Sequence, residues 1–183
     1  MRARHQSGLG RIAQAVVLLL VVAATLRLID CAPRATAKAR QVKDFPSIEA
    51  VERAAGRRLA LPAWYPRELP WPPSRLQVVG APPEAVALEF GSADGGVPLL
   101  VLAESVRGPV PLPESFFPPA TVFEARTQAW RDGKARFTRL RGEDGAAWVE
   151  LAWEQDGQAF TFRSRGSLEQ LLDLAASVHR EGP

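Results

Sequence analysis

Residues 130–178 read WRDGKARFTRLRGEDGAAWVELAWEQDGQAFTFRSRGSLEQLLDLAASV, and this stretch decides the fold. Three Asp-Gly steps, Asp132-Gly133, Asp144-Gly145 and Asp156-Gly157, separate four strand-length runs. Glycine accepts the positive φ that tight hairpin turns require, so a four-strand antiparallel meander is expected. The alternation agrees. Val149, Leu151 and Trp153 alternate with Trp148, Glu150 and Ala152, and Phe160 and Phe162 with Thr161 and Arg163, which predicts one buried and one solvated face. Ser167 and Gln170 then have capping-box spacing, and Leu168, Leu171, Leu172, Ala175 and Val178 form an apolar stripe. The stretch therefore ends in a helix that covers the sheet.

Working outward, residues 107–119 hold prolines at 109, 111, 113, 118 and 119 and predict a long connection across an end of the sheet. Before it, the apolar run 97–103, the alternating Val86, Leu88 and Phe90, and residues 76–79 predict three more strands, the run 97–103 being central. Asp94-Gly95-Gly96 supplies the hairpin turn between the second and third of these. Ser47 is placed to cap a short helix over 48–55, stopped by Gly56, with Ile48, Val51 and Ala55 facing inward. The fold class is α+β: an antiparallel sheet packed by a short N-terminal and a C-terminal helix.

Between that first helix and the strands lies Leu61-Pro62-Ala63-Trp64-Tyr65-Pro66-Arg67-Glu68-Leu69-Pro70-Trp71-Pro72-Pro73, whose prolines forbid a continuous helix and a central strand. Two readings stand: the aromatics staple an ordered loop onto the core, or they line a ligand groove. Trp148 lies on a strand near a turn and shares the polar parity of Glu150, so two readings stand for it as well: core or rim packing, or exposure at a partner surface. Trp64, Tyr65, Trp71 and Trp148 are thus the candidate partner or ligand surface.

Residues 12–26 are apolar apart from Gln14 and Thr25 and follow a tail bearing Arg2, Arg4 and Arg11. With Arg27 snorkelling, 12–29 just reaches across a bilayer. The expected organisation is a short basic cytoplasmic tail (1–11), a single transmembrane anchor helix (12–29), a basic stalk (30–44) and an extracytoplasmic domain (45–183) at the cell membrane. A cleaved signal peptide, with Ala35-Thr36-Ala37 as the small-x-small site, is the competing reading. Lipidation at Cys31 is a third, though Asp30 occupies the place where a small residue is wanted.

The chain carries 23 Lys/Arg and 20 Asp/Glu, a net charge of +3. Residues 1–43 hold eight Lys/Arg against Asp30, a balance of +7, and 44–183 hold fifteen against nineteen, a balance of −4. The domain is mildly acidic on average, which argues against nucleic acid as the partner. No nucleophile elbow, phosphate-cradling glycine loop or metal-spaced Cys/His cluster is present in the sequence, so no catalytic, cofactor or metal residue is assigned. His5 precedes the anchor and His179 ends the last helix, and neither has a catalytic partner in view.

From Phe45 onward the chain resembles an uncharacterised family of extracytoplasmic domains of bacterial membrane-anchored proteins, found also after the membrane segment of some anti-sigma factors. The resemblance rests on Glu49-Ala50-Val51-Glu52, on the Leu-Pro and Tyr-Pro elements of Leu61-Pro62-Ala63-Trp64-Tyr65-Pro66, on Trp153 through Gly157, and on Phe160, Phe162, Leu168, Leu171 and Ala175-Ala176-Ser177. It implies kinship with periplasmic lipoprotein-carrier and regulator folds, whose curved sheet half-encloses an apolar cavity. The tail here is too short for a sigma-binding domain. The expected function is a non-enzymatic binding or sensing module that contacts an envelope protein or ligand; alternatives are an accessory subunit of a membrane complex and a carrier of an apolar ligand.

Overall fold

In a computed structural model that describes residues 42–91 and 97–179, the expected meander is present and continues into a larger sheet. In chain order the elements are β1 (Val42–Asp44), α1 (Ile48–Ala55), β2 (Leu61–Pro62), β3 (Arg75–Val79), β4 (Ala85–Phe90), β5 (Leu100–Ser105), a 3-10 turn (Glu114–Phe116), β6 (Ala120–Trp130), β7 (Gly133–Gly142), β8 (Ala147–Gln155), β9 (Gln158–Ser164), α2 (Leu168–Ala176) and β10 (Val178–His179). Eight strands form one antiparallel sheet in the order β1-β3-β4-β5-β9-β8-β7-β6, and β10 pairs separately with β2. The meander β6 to β9 joins the N-terminal hairpins where β5 pairs with β9, Leu102 opposite Phe162. β5, read from the sequence as central, is flanked by β4 and β9.

Both helices form where their caps place them. The Ser47 hydroxyl accepts from the Ala50 amide at 3.2 Å, and Gly56 closes α1 at φ 69°. At α2 the Ser167 hydroxyl accepts from the Gln170 amide at 3.1 Å while the Gln170 side chain accepts from the Ser167 amide at 3.3 Å. The two helices lie on one face of the sheet. Val51 of α1 and Leu171, Leu174 and Ala175 of α2 join Leu76, Val86, Phe90, Leu102, Leu151 and Phe162 in the main core. Trp153 adds a stacked contact with Phe160, ring centres 5.0 Å apart.

Several expectations need correcting. Residues 42–44, assigned to the stalk, form β1 on the edge of β3, because Val42 to Asp44 find an open ladder at Val79 to Gln77. Strand β5 begins at Leu100; Val97 lies outside it and is exposed. The first meander turn is Arg131-Asp132, with Trp130 opposite Gly133, so Gly133 opens β7 instead of sitting in the turn. The 107–119 connection runs over the second face, where Phe116 is buried with Val79, Ala85, Ala87, Val101 and Ala103 and is flanked by Leu112 and Phe117. Residues 1–41, with the expected tail, anchor, most of the stalk and Cys31, and the Asp94-Gly95-Gly96 turn lie outside the described residues. Among the described residues no helix is long and apolar enough to cross a membrane.

Candidate functional site

The proline-rich segment folds as a ledge against the main-core face of β4. Its prolines restrict φ and exclude strand pairing over most of its length, leaving only β2 to pair with β10. Tyr65 is half-buried and packs on Phe90 and Trp71, each ring centre 5.2 Å away, and Trp71 stands 6.2 Å from Phe90. The outer part of the ledge stays in solvent: Trp71 is 58% exposed and Trp64 41%. One aromatic of the segment is thus a staple, as the first reading expects, and two others present a surface. The Tyr65 hydroxyl is buried with no hydrogen-bond partner among the described residues, and burial pushes its pKa above the usual phenol range. Glu52, Arg58, Leu59, Tyr65 and Trp71 line a shallow hollow of about 440 Å³ beside it.

On its other flank the ledge closes a cleft of about 400 Å³. Pro66 and Leu69 form one wall, Leu99 and Leu100 the sheet side, and Leu171 and Leu174 of α2 the opposite wall. Leu100, Leu171 and Leu174 are buried, so the floor is apolar, while Glu68, Arg165 and Gln170 bring polar groups to the rim. This volume falls within the ~300–1,000 Å³ of small-molecule sites. Arg165 is held from the far side: its guanidinium pairs with Asp144 and lies 4.9 Å from the Trp148 ring. The Ala146 amide and Arg165 together hold the Asp144 carboxyl below its usual range.

Trp148 does not belong to this surface. Its polar parity left exposure open, but it is 2% exposed, covered by Arg165 on the second face of the sheet. The structure therefore brings Tyr65 and Trp71 together, leaves Trp64 exposed on the same segment, and sets Trp148 apart as a core residue. Sequence reasoning missed Leu99, Leu100, Arg165, Leu171 and Leu174 as cleft residues. Three distant segments meet there, and no periodicity within any one of them marks a hollow.

Glu104, the buried acid of β5, is engaged by Arg57 at 3.0 Å and by the Ala60 amide at 3.2 Å, which makes it a structural pair. Among the described residues no three His, Cys, Asp or Glu side chains gather to hold a metal ion. No family model, curated protein or solved structure matches the chain.

Proposed function

We propose that the protein is a non-enzymatic, membrane-anchored binding module whose ledge contacts an envelope protein or ligand outside the cytoplasmic membrane, as the resemblance to extracytoplasmic domains implies. The observation that carries this reading is the exposure of Trp71 and Trp64 on a segment whose backbone prolines hold still. A large aromatic in water on a rigid support loses little entropy when a partner covers it, the arrangement found at binding hot spots. The hydrophobic segment at 12–29 would hold the domain at the membrane, where its partner is met.

The test is site-specific photo-crosslinking of the full-length chain in membranes of its host. A photoreactive residue at 64 or 71 is expected to give a discrete protein adduct, and one at the exposed Glu114, under the opposite face, none. No adduct from 64 and 71, or equal labelling from 114, overturns the reading.

A second reading, carriage of an apolar ligand, is favoured by the leucine floor of the 400 Å³ cleft. It requires that the purified chain release an apolar small molecule into organic solvent. A Leu99→Trp variant, which fills the cleft, should release none.

A further inference from the structure

The mild acidity of the domain hides a strong asymmetry. Residues 120–142, the β6–β7 hairpin, carry six Lys/Arg against Glu124 and Asp132, a balance of +4; the rest of 44–183 carries nine against seventeen, a balance of −8. Three of the six cations are engaged locally. Arg131 donates to the carbonyls of Ala175 and Ala176, Arg139 pairs with Glu124 at 3.2 Å, and Arg126 lies 5.8 Å over the Phe137 ring. Lys134, Arg136 and Arg141 are exposed and meet no carboxylate among the described residues.

The same hairpin is the open edge of the sheet. β6 is the last strand and pairs only with β7, and all of residues 121–129 are exposed. Trp130 and Gly133 flank a two-residue turn and form a hydrogen-bonded pair, so alternation turns the backbone groups of Ala125, Thr127 and Ala129 outward. Near the other end of β6 the ladder bulges: Val122 opposes Leu140 and Glu124 opposes Arg139, leaving Phe123 as the extra residue. Phe123 is 60% exposed and Val122 48%.

A second copy added edge to edge would set two +4 hairpins one strand spacing apart, ~4.8 Å, well inside the ~8 Å screening length of physiological salt. The bulge and the charged side chains also interrupt the ladder that such an addition needs. The occupant that fits is anionic, extended and able to take in two apolar side chains. A bilayer of acidic lipids has all three properties, whereas a nucleic acid duplex offers the charge without an apolar layer for Phe123 and Val122.

We propose that the open edge of the β6–β7 hairpin docks edge-on on an acidic lipid surface, Lys134 and Arg136 reaching the anionic headgroups from one face of the sheet and Arg141 from the other, with Phe123 and Val122 entering the headgroup layer. The surface is separate from the aromatic ledge, which packs on β4, five positions away in the strand order. Each cation near an acidic leaflet favours docking about fivefold, so the three together contribute about 100-fold.

The experiment uses the full-length chain with Cys31→Ser and Thr121→Cys, carrying a polarity-sensitive fluorophore at 121 and reconstituted into phosphatidylcholine vesicles with or without phosphatidylglycerol. Emission is expected to shift to the blue only in the acidic vesicles and to revert as salt is raised. Lys134→Ala/Arg136→Ala/Arg141→Ala should lower the docked-to-free ratio about 100-fold, and Asp132→Asn, which removes an opposing charge, should raise it about fivefold. Equal emission in both vesicles, or insensitivity to both variants, overturns the proposal. A soluble DNA duplex shifting the emission as strongly as acidic vesicles do also overturns it, reassigning the edge to nucleic acid.

Discussion

Glu104 and Arg57 show how one residue pair ties distant parts of the chain. Glu104 sits on β5 facing the main core, and its two oxygens are taken by the Arg57 guanidinium and the Ala60 amide, while Arg57 also donates to the Ser105 carbonyl at 3.2 Å. The pair fixes the chain leaving α1 against the centre of the sheet. Removing one partner strands a charge in a poorly solvated place, so Arg57→Ala should lower unfolding free energy by about 3 kcal/mol in urea titrations. Glu89 carries the opposite lesson. Desolvation raises its pKa above the usual carboxylate range, with Arg75 only partly compensating. The folded form therefore holds that proton more tightly than the unfolded chain. Its contribution to stability is present at low pH and is lost as pH rises through the raised value. Glu89→Gln should accordingly gain on the wild type as pH climbs from 4 to 7, read as a widening gap between urea midpoints. A constant gap refutes the desolvation argument.

Elements with local causes were legible in the sequence. α1 and α2 form where Ser47 and Ser167 cap them, and the last turn is the one the sequence announces, Asp156 and Gly157 both at positive φ, 51° and 71°. The first turn was misplaced for a tertiary reason. Arg131 occupies a left-handed position, φ 48°, that an arginine rarely adopts unaided. Its guanidinium reaches Gln155 and the C-terminal carbonyls of α2, Ala175 at 3.0 Å among them, and so brings a cation to the helix end. Those bonds outweigh the local preference that pointed to Asp132-Gly133. Arg131→Ala removes them and keeps the strain, so it should cost about 1–3 kcal/mol. Arg131→Gly removes both and should be the less damaging substitution, measured by thermal unfolding. If the two variants melt alike, the turn is not strained.

What escaped the sequence at the scale of the molecule was the second face of the sheet. Alternation along β8 and β9 gave the polar parity of Trp148, Glu150, Thr161 and Arg163, and from that a solvated face. A pattern within one strand cannot reveal that a proline-rich connection far upstream will lie across it. Arg163 shows how the polar parity was accommodated: it donates to Glu150 at 2.8 Å and to the Pro118 carbonyl at 2.8 Å and lies 4.6 Å from the Phe117 ring. A buried layer with its own charges is thus formed, and Trp148 is shut in under Arg165. The cleft beside the ledge was illegible for the same reason, since its walls meet only in the finished fold.

The second face makes a prediction that separates stability from recognition. Phe116 is the one large side chain of the connection buried in the smaller core, among the short side chains of Val79, Ala85, Ala87, Val101 and Ala103. Small neighbours on a rigid sheet cannot close over the hole that Phe116→Ala leaves, so the cost should approach the ~3–5 kcal/mol of deleting a buried aromatic. The ledge packs on the other side of the same strands, through Phe90, whose side chain points away from this core. At temperatures where the variant remains folded, crosslinking from position 71 should therefore be unchanged while its urea midpoint falls. A loss of crosslinking in step with a retained midpoint would mean that the connection, and not the ledge alone, shapes the binding surface.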